Sequence, residues 1–370
     1  MSSKVYFCNM RTVAGGLNLP QKLKNLIREA GIEKLDLKDK FVAIKMHFGE
    51  PGNIAYLRPQ FPAAVAEVVK ELGGRPFLCD CNTMYTGMRH NGLDHLHAAE
   101  IDGFNSATTG CYVVIGDGIK GDDEVVVPID GELVQNAYIG RALRDADVII
   151  SLSHFKGHEM AGFGGCLKNL GMGGASIAGK RDQHSGSRPQ VDPENCIGCG
   201  LCTTQCAYSA VKVTDGKAHV NHSVCVGCGR CVGVCPQKTI HFLDGNEEEI
   251  LNKKIAEYAF AVVKDKPSFH INVIMDVSPN CDCHGENDAA IIPNVGMMCS
   301  FDPVAVDIAA ADMCLKQPII GNSAAGESHH HSDDCFCKSH PNTDWRSQIS
   351  QGEKIGLGSS HYELVEITKQ

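Results

Sequence analysis

The chain has 370 residues, of which 43% are hydrophobic, and its formal net charge at pH 7 is −10. This length accommodates one large domain with a small one, or two domains of medium size. The negative charge argues against nucleic acid as the main partner, since phosphate binding requires a basic face. No apolar stretch approaches the length of a membrane span, so we expect no membrane partner.

The cysteine content is high, at nineteen residues. The N-terminus carries no apolar run followed by a cleavage site, and thus no export signal. Without such a signal, this many cysteines favour metal thiolates in a reducing cytosol over disulfides. We therefore expect a cytoplasmic protein.

Short apolar runs alternate with amphipathic segments along most of the chain. The pattern predicts strands over 41–48, 76–79, 111–115, 124–129, 148–152, 269–275, 295–299 and 362–367. It predicts helices over 60–72, 135–146 and 247–264, and one starting at Asp302-Pro303. Such alternation indicates an α/β fold with a mostly parallel sheet covered by helices on both faces.

Loops at the carboxyl ends of strands carry the chemistry in sheets of this kind. Segments 46–53, 79–90 and 153–174 should therefore meet at one edge of the sheet. Segment 153–184 is also dense in histidine, lysine and glycine. Glycines allow close ligand approach and turn N–H groups towards an anion, lysines serve as nucleophile or carboxylate clamp, and histidines as acid–base groups or metal ligands.

These residue types give a set of candidates in this segment. A solvated glycine-rich linker is the weaker alternative, because the segment directly follows a buried strand. A Walker-type phosphate loop fits poorly, since Gly179-Lys180 is not followed by serine or threonine. The catalytic candidates are His154, Lys156, His158, Lys168 and His184. The cofactor-binding candidates are Gly164, Gly165 and Asn169.

Eight cysteines fall in two similar runs, Cys196-x2-Cys199-x2-Cys202-x3-Cys206 and Cys225-x2-Cys228-x2-Cys231-x3-Cys235-Pro236. At this spacing three thiolates of a run bind one cubane and the fourth reaches the other. A zinc ribbon or a disulfide framework fits the duplication less well. One [4Fe–4S] cluster is thus predicted on Cys196, Cys199, Cys202 and Cys235, and the other on Cys225, Cys228, Cys231 and Cys206. The segment resembles a bacterial two-cluster ferredoxin, although Ala207 stands where the second run has Pro236.

The flanking segments look incomplete alone, which favours insertion over a tandem arrangement. We predict a ferredoxin-like α+β domain over 191–243 inserted into one α/β domain formed by 1–190 and 244–370. Because exposed cubanes are damaged by oxygen, an anaerobic source is expected.

A third metal site is predicted on Cys281, Cys283 and His284, with Zn, Fe or Ni as the candidate metals. A Cys-x-Cys pair chelates one metal only in a loop, because alternate residues of a strand point in opposite directions. Composition places this pair in a loop, and Cys79 or Cys81 could add a ligand. The alternative is free thiols in a reducing cell.

Several motifs carry a family resemblance over nearly the whole chain. They are Lys45-Met-His-Phe-Gly-Glu50, Asp80-Cys81-Asn82-Thr83, His154-Phe-Lys-Gly-His158, Gly162-Phe-Gly-Gly165, Lys168-Asn169 and Asp302-Pro303-Val304-Ala305. In these the chain resembles the iron–sulfur-centre proteins of the domain of unknown function 362 family. The resemblance implies a shared fold and two clusters, and no established substrate.

The stretch from His158 to Lys168 is also similar to the cofactor-binding stretch of nickel-pincer lactate racemases. The similarity implies a proton-transfer base at His158, a cofactor anchor or substrate contact at Lys168, and a metal ligand at His184. His90 or His95 could supply a second base. Gly164 replaces a serine of those enzymes, which also have no cluster insert, so the similarity could report a common ancestral fold alone.

The functional hypothesis is an oxidoreductase in which two clusters pass electrons from a partner protein to a pocket around 153–184. There Lys156 and Lys168 would hold a small anionic substrate, and His154 or His158 would transfer protons. The alternatives are a ferredoxin-like electron carrier without catalysis, and a metal-assisted isomerase or racemase.

Overall fold

The computed structural model describes residues 2–85, 87–186, 188–242 and 247–367, which form an eight-stranded sheet with helices on both faces and four small two-stranded sheets. The strands are β1 (Ser3–Asn9), β2 (Phe41–Lys45), β3 (Arg75–Asp80), β4 (Tyr112–Ile115), β5 (Glu124–Pro128), β6 (Asn136–Gly140), β7 (Val148–His154), β8 (Lys156–His158), β9 (Gly162–Gly164), β10 (Pro189–Val191), β11 (Val211–Thr214), β12 (Lys217–Val220), β13 (Ile240–Phe242), β14 (Ser268–Ile274), β15 (Gly296–Ser300) and β16 (Tyr362–Glu366). The helices are α1 (Leu19–Glu29), α2 (Gln60–Glu71), α3 (Gly92–Ile101), α4 (Ser106–Thr109), α5 (Arg141–Asp145), α6 (Cys166–Gly174), α7 (Ile177–Gln183), α8 (Leu201–Thr204), α9 (Arg230–Gly233), α10 (Glu247–Val263), α11 (Pro303–Leu315), α12 (Cys335–Ser339) and α13 (Arg346–Lys354).

The main sheet has the strand order β16-β1-β15-β14-β7-β2-β3-β4. Strand β15 runs antiparallel to both of its neighbours, and the other adjacent pairs are parallel. The predicted α/β fold with a mostly parallel sheet is therefore confirmed. Four parallel strands, β14, β7, β2 and β3, lie side by side at its centre, so their carboxyl ends meet at one edge.

Each face of the sheet has its own core, because alternate residues of a strand point to opposite faces. In β7, Ile150 packs towards α1 and α2, whereas Ile149 packs towards α6, α10 and α11. Every residue of β7 is buried. Burying one such aliphatic side chain contributes about 1.5–3 kcal/mol, so β7 with its two covered faces is a main source of stability.

The predicted helix over 135–146 is wrong. Strand β6 occupies the first half and pairs with β5 in an antiparallel ribbon, and only the short helix α5 follows. Within β6, Ala137 and Ile139 are buried while Asn136 is exposed, which is the period-two pattern of a strand. A short apolar segment of this kind can form either a helix or a strand, and here the antiparallel pairing with β5 stabilises the strand. The other predicted strands and helices are present, with ends shifted by a few residues.

Residues 189–242 are called here the cysteine-rich segment. The strands at its two ends lie side by side, so the chain leaves the α/β domain and returns to it at neighbouring points. Strands β10 and β13 pair antiparallel, with Pro189 opposite Phe242. Between them lie the hairpin β11–β12 and the short helices α8 and α9. A small core holds Val211, Ala218 and Ile240 beside three of the cysteines. The predicted boundary at 243/244 lies outside the described residues.

No helix in the described ranges has both the length and the apolar character that crossing a bilayer requires.

Helices α6 and α10 pack at a very short backbone distance. A Cβ atom on Gly171 would lie 2.1 Å from the carbonyl oxygen of Ile255. We expect Gly171→Ala to force these helices apart and to lower the free energy of unfolding by about 1–3 kcal/mol, the usual cost of overpacking. The measurement is urea unfolding followed by circular dichroism. Gly321→Ala is the matched control, because nothing lies within 4 Å of its Cβ position. Equal loss in both variants would contradict the packing argument.

Candidate functional site

A cavity, called here the central cavity, opens where β14, β7, β2 and β3 end. It is lined from all three predicted edge segments, 46–53, 79–90 and 153–174, and from the loop after β14. Its charged or titratable lining includes Lys45, His47, Asp80, Arg89, Lys156 and Lys168. Of the predicted candidates, His154, Lys156, Gly165, Lys168 and Asn169 lie in its wall.

A buried ion pair forms the floor of the central cavity. Lys45 ends β2 and Asp80 ends β3, and their side chains meet at 3.0 Å between Nζ and Oδ1 with no more than 3% of either exposed. Lys45 Nζ also donates to Asn169 Oδ1 at 2.8 Å. Burial alone would raise the pKa of Asp80, but Lys45 and then His95 outweigh that effect and hold it well below its ordinary value. The Asp80 carboxylate is therefore retained at neutral pH.

Helix α6 is held in place by a carboxylate from α11. Asp307 accepts the N–H groups of Cys166 and Leu167 at 2.7 and 2.8 Å, and Asn272 donates to it at 2.7 Å. Burial raises the pKa of Asp307 to about 6, while these hydrogen bonds act in the opposite direction. The carboxylate satisfies N–H groups at the helix start that have no partner within the helix. It thereby fixes Lys168 and Asn169, which follow within one turn.

His154 has no ring nitrogen free for a substrate. Its Nδ1 contacts both carboxylate oxygens of Asp282 at 2.9 Å, and its Nε2 donates to the carbonyl oxygen of Met275 at 2.7 Å. Lys156 Nζ lies 3.5 Å from Asp282 Oδ2. The pKa of Asp282 is lowered, since these two partners outweigh burial. The arrangement makes His154 a buried structural link between β7 and the loop after β14.

Lys168 and His158 both reach towards Cys281. Lys168 Nζ donates to Cys281 Sγ at 3.1 Å. His158 accepts the N–H groups of Met160 and Ala161 at Nδ1 and also hydrogen-bonds Cys281. A hydrogen bond from Cys283, followed by the charges of Lys168 and Lys156, lowers the pKa of Cys281 against the effect of burial. Cys283 and Lys168 thus both hydrogen-bond the Cys281 sulfur.

Arg89 has an unused donor at the cavity. It is 2% exposed and its Nε donates to Glu50 at 2.8 Å, while Glu50 also accepts the N–H of Met88 at 2.7 Å. The Nη2 atom of Arg89 is buried and has no hydrogen-bond partner among the residues that the structure describes. Glu50 lies within a motif that carried the family resemblance, but nothing in the sequence indicated that Arg89 would pair with it.

The three remaining candidate histidines, His184, His95 and the exposed His90, are not in the cavity wall. His184 lies beside Cys225 and hydrogen-bonds the Gly227 backbone, and burial followed by the charge of His158 lowers its pKa to about 3. His95 lies behind Asp80, with 3.7 Å between Nε2 and Oδ2. Gly164 leaves room for the side chains of Lys168 and Lys156, which would lie 3.2 and 3.3 Å from a Cβ atom there.

The cysteines of each predicted set lie together. Cys196, Cys199, Cys202 and Cys235 line one cavity in the cysteine-rich segment. In the other set, burial followed by the thiols of Cys228 and Cys225, and then those of Cys202 and Cys206, raises the pKa of Cys231 to about 12.

A third group combines predicted and unpredicted residues. One ligand atom from each of Glu159, Cys283 and His284 lies within 4.8 Å of the others. Cys283 and His284 are two of the three predicted ligands of the third metal site. The group also contains Glu159, and it does not contain the third predicted ligand, Cys281. Cys79 and Cys81 lie at the end of β3 and are not part of this group. Glu159 follows β8, whereas Cys283 and His284 follow β14. The sequence alone could not indicate that these two loops meet.

These features define an α/β protein with a strand-end cavity and residues able to bind a metal ion. The chain belongs to the family described as "Domain of unknown function (DUF362)", whose model matches residues 42–312, so the predicted membership is confirmed.

Two of the solved structures that are similar to this chain illustrate the match. One is the lactate racemase apoprotein from Thermoanaerobacterium thermosaccharolyticum, with 13% identity, a TM-score of 0.32, and coverage of 72% of this chain and 47% of that one. The other is a structural-genomics target from Thermotoga maritima, with 12% identity, a TM-score of 0.38, and coverage of 79% and 56%. The chain thus spans about half the length of these structures. No curated protein matched the sequence.

The Lys45–Asp80 pair gives a testable stability difference. Lys45→Met leaves a buried carboxylate without its partner, which we expect to cost about 3–5 kcal/mol at pH 7. Because the pKa of Asp80 is lowered in the folded state, the pair stabilises above the unfolded carboxyl pKa of about 3.9, and this contribution is lost as pH falls through the folded value. The difference between the two proteins should therefore shrink in acid. Chemical denaturation across pH measures it.

Lys40→Met is the control, since Lys40 forms an exposed pair with Asp36 at 3.6 Å. We expect it to change stability by about 0–1 kcal/mol. A pH-independent loss in Lys45→Met would show that lost packing, and not the ion pair, causes the effect.

Proposed function

We propose that this chain binds two [4Fe–4S] clusters in its cysteine-rich segment and is an oxidoreductase acting on a small anionic substrate in the central cavity. The supporting observation is the position of Arg230. It lies between Cys228 and Cys231 in sequence and contacts Tyr85 and Cys283 in the cavity wall.

The residues present fit the two clusters. Besides lying in two sets of four, several of the cysteines accept backbone hydrogen bonds. Ala218 donates to Cys196 at 3.4 Å, and Ala210 donates to Cys206 at 3.2 Å. Hydrogen bonds to thiolate sulfur stabilise negative charge and are one determinant of cluster potential. When bound, such clusters supply one-electron transfer.

The first set, Cys196 with its three partners, faces outward. Cys199 is exposed, and its neighbours Ile197 and Leu201 expose 62% and 44% of their surfaces. An apolar surface around an exposed ligand favours docking of another protein over contact with water alone. We infer that an electron donor or acceptor protein docks here.

The second set, Cys225 with its three partners, is linked to the cavity through Arg230, which lies between Cys228 and Cys231 in sequence. Arg230 lies over the ring of Tyr85 at 4.4 Å and donates to the carbonyl oxygen of Cys283 at 3.0 Å. Tyr85 and Cys283 both line the central cavity. In this proposal the second set is therefore the one that would exchange electrons with a substrate there.

The cavity suits an anion. Lys45, Arg89, Lys156, Lys168 and Lys180 lie in its wall. Asp80, Asp282 and Glu50 pair with Lys45, Lys156 and Arg89, and the Cys281 sulfur accepts from Lys168. A buried donor without an acceptor is costly, and a carboxylate or phosphate oxygen would satisfy Arg89 Nη2.

His47 supplies a hydrogen bond to the substrate in this proposal, since both ring nitrogens of His154 are occupied. His47 lines the cavity, and its Nδ1 accepts the N–H of Gly49 at 2.9 Å, which leaves the ring proton on Nε2. Burial, followed by the charge of Arg89, lowers the pKa of His47 well below its ordinary value. The ring is therefore neutral and can donate a hydrogen bond from Nε2 to a substrate oxygen.

Two alternatives fit these observations less well. A carrier without catalysis would have no use for a cation-rich cavity linked through Arg230 to the second cysteine set. An isomerase using Lys168 and His184 together would need both at one substrate, but His184 lies beside Cys225, outside the wall that holds Lys168.

The cluster assignment predicts a specific loss of iron. Removing a ligand of the first set by Cys199→Ala should lower the iron content of anaerobically purified protein by about four atoms from about eight. Cys337→Ala, which changes a cysteine outside both sets, should leave it unchanged. Iron analysis with electron paramagnetic resonance of the reduced protein measures this. Equal iron in Cys199→Ala and the parent chain would contradict the assignment.

The substrate assignment predicts anion binding through Arg89. Small carboxylates, tested from acetate to succinate, should raise the melting temperature of the parent chain and have less effect on Arg89→Lys. That variant keeps a cation beside Glu50 but loses the planar guanidinium group. Arg58→Lys is the control, since Arg58 pairs with Asp276 outside the cavity. Equal shifts in all three proteins would rule out Arg89 as an anion-binding residue.

A further inference from the structure

Glu159, Cys283 and His284 lie between the cysteine-rich segment and the α/β domain and belong to neither cysteine set. Glu159 follows β8, and the other two residues belong to the loop after β14. Nε2 of His284 and Oε1 of Glu159 are 3.0 Å apart. Cys283 is 7% exposed, so its thiol is largely withdrawn from water.

The surroundings hold these side chains in position. Asn53 donates to the carbonyl oxygen of His284 at 2.9 Å, and Arg230 donates to that of Cys283 at 3.0 Å. The backbone of both residues in the loop after β14 is thus fixed from two sides. The second carboxylate oxygen of Glu159, Oε2, is buried and makes no hydrogen bond to any part of the chain that the structure describes.

We propose that Glu159, Cys283 and His284 form a mononuclear site for a divalent cation of the zinc type. Sulfur, imidazole nitrogen and carboxylate oxygen are the ligands that zinc takes in proteins, and three of them leave one position open. The cation would give Glu159 Oε2 the partner that it lacks. Cys281 stays outside the site because Lys168 holds its sulfur at 3.1 Å.

The open coordination position of the proposed cation would face the central cavity. Cys283 lines the central cavity, while Glu159 and His284 line a second cavity that also contains Arg230. A cation bound to all three would therefore lie at the inner wall of the central cavity, next to the second cysteine set. It could polarise a substrate oxygen there as a Lewis acid. The site does not require the proposed clusters.

The test uses the full chain, purified anaerobically with its iron, stripped of loosely bound metal by a chelator and then titrated with Zn²⁺. We expect one zinc per chain and a zinc-edge X-ray absorption spectrum that contains sulfur together with nitrogen or oxygen neighbours. Glu159→Gln and His284→Ala should each weaken binding by about tenfold or more, since even outer partners of a metal contribute about that factor. Glu363→Gln is the control, because Glu363 is exposed on β16 and outside the group.

Parallel iron analysis separates this site from the clusters. Loss of zinc binding with iron retained supports the site. Zinc bound by sulfur alone would place it in a cysteine set and overturn the proposal, as would equal zinc affinity in Glu159→Gln, His284→Ala and the parent chain. A chain that lacks iron but binds zinc through mixed ligands would contradict the cluster assignment and still support this site.

Discussion

The geometry of the central cavity depends on placing a lysine ammonium and an aspartate carboxylate where almost no water reaches them. Removing such charges from water costs several kcal/mol each, which is repaid only when the two groups meet at short distance and their remaining bonds are made. Lys45 and Asp80 meet this condition at the ends of adjacent strands. Asn169 completes the network by accepting from the Lys45 side chain and donating to its carbonyl oxygen and to Ser153. Strands β2, β3 and β7 and helix α6 are thereby tied together at the floor of the cavity.

Several glycines of segment 153–184 make room for neighbouring parts of the protein itself, and not for a ligand. A Cβ atom on Gly173 would lie 2.4 Å from Lys45 Nζ, and one on Gly165 would lie 2.4 Å from Asp307. Gly171 allows α10 to approach α6. The sequence suggested that these glycines let a ligand approach the backbone. In the structure, the groups that approach are the protein's own charged side chains and a neighbouring helix.

Local patterns predicted most of the sheet, because the sequence signal of a strand depends on spacing along the chain. They failed at β6, where antiparallel pairing with β5 outweighed a helical reading of a short segment. They also suggested proton transfer by His154, whose ring is closed off by Asp282, a residue 128 positions away. Arg89 with Glu50, and Glu159 with Cys283, escaped prediction for the same reason. Each pair joins loops that follow different strands, and only the assembled sheet brings those loops together.

The pairing of β10 with β13 has an evolutionary consequence. Because the two strands that enter and leave the cysteine-rich segment are hydrogen-bonded to each other, the segment is attached through a narrow stem, and neighbouring strands lie only about 5 Å apart. A short turn could close that gap without disturbing any strand of the main sheet. Relatives that lost or exchanged the segment would keep the central cavity and its ion pair. Within the family, differences in chain length are therefore expected to concentrate at this stem.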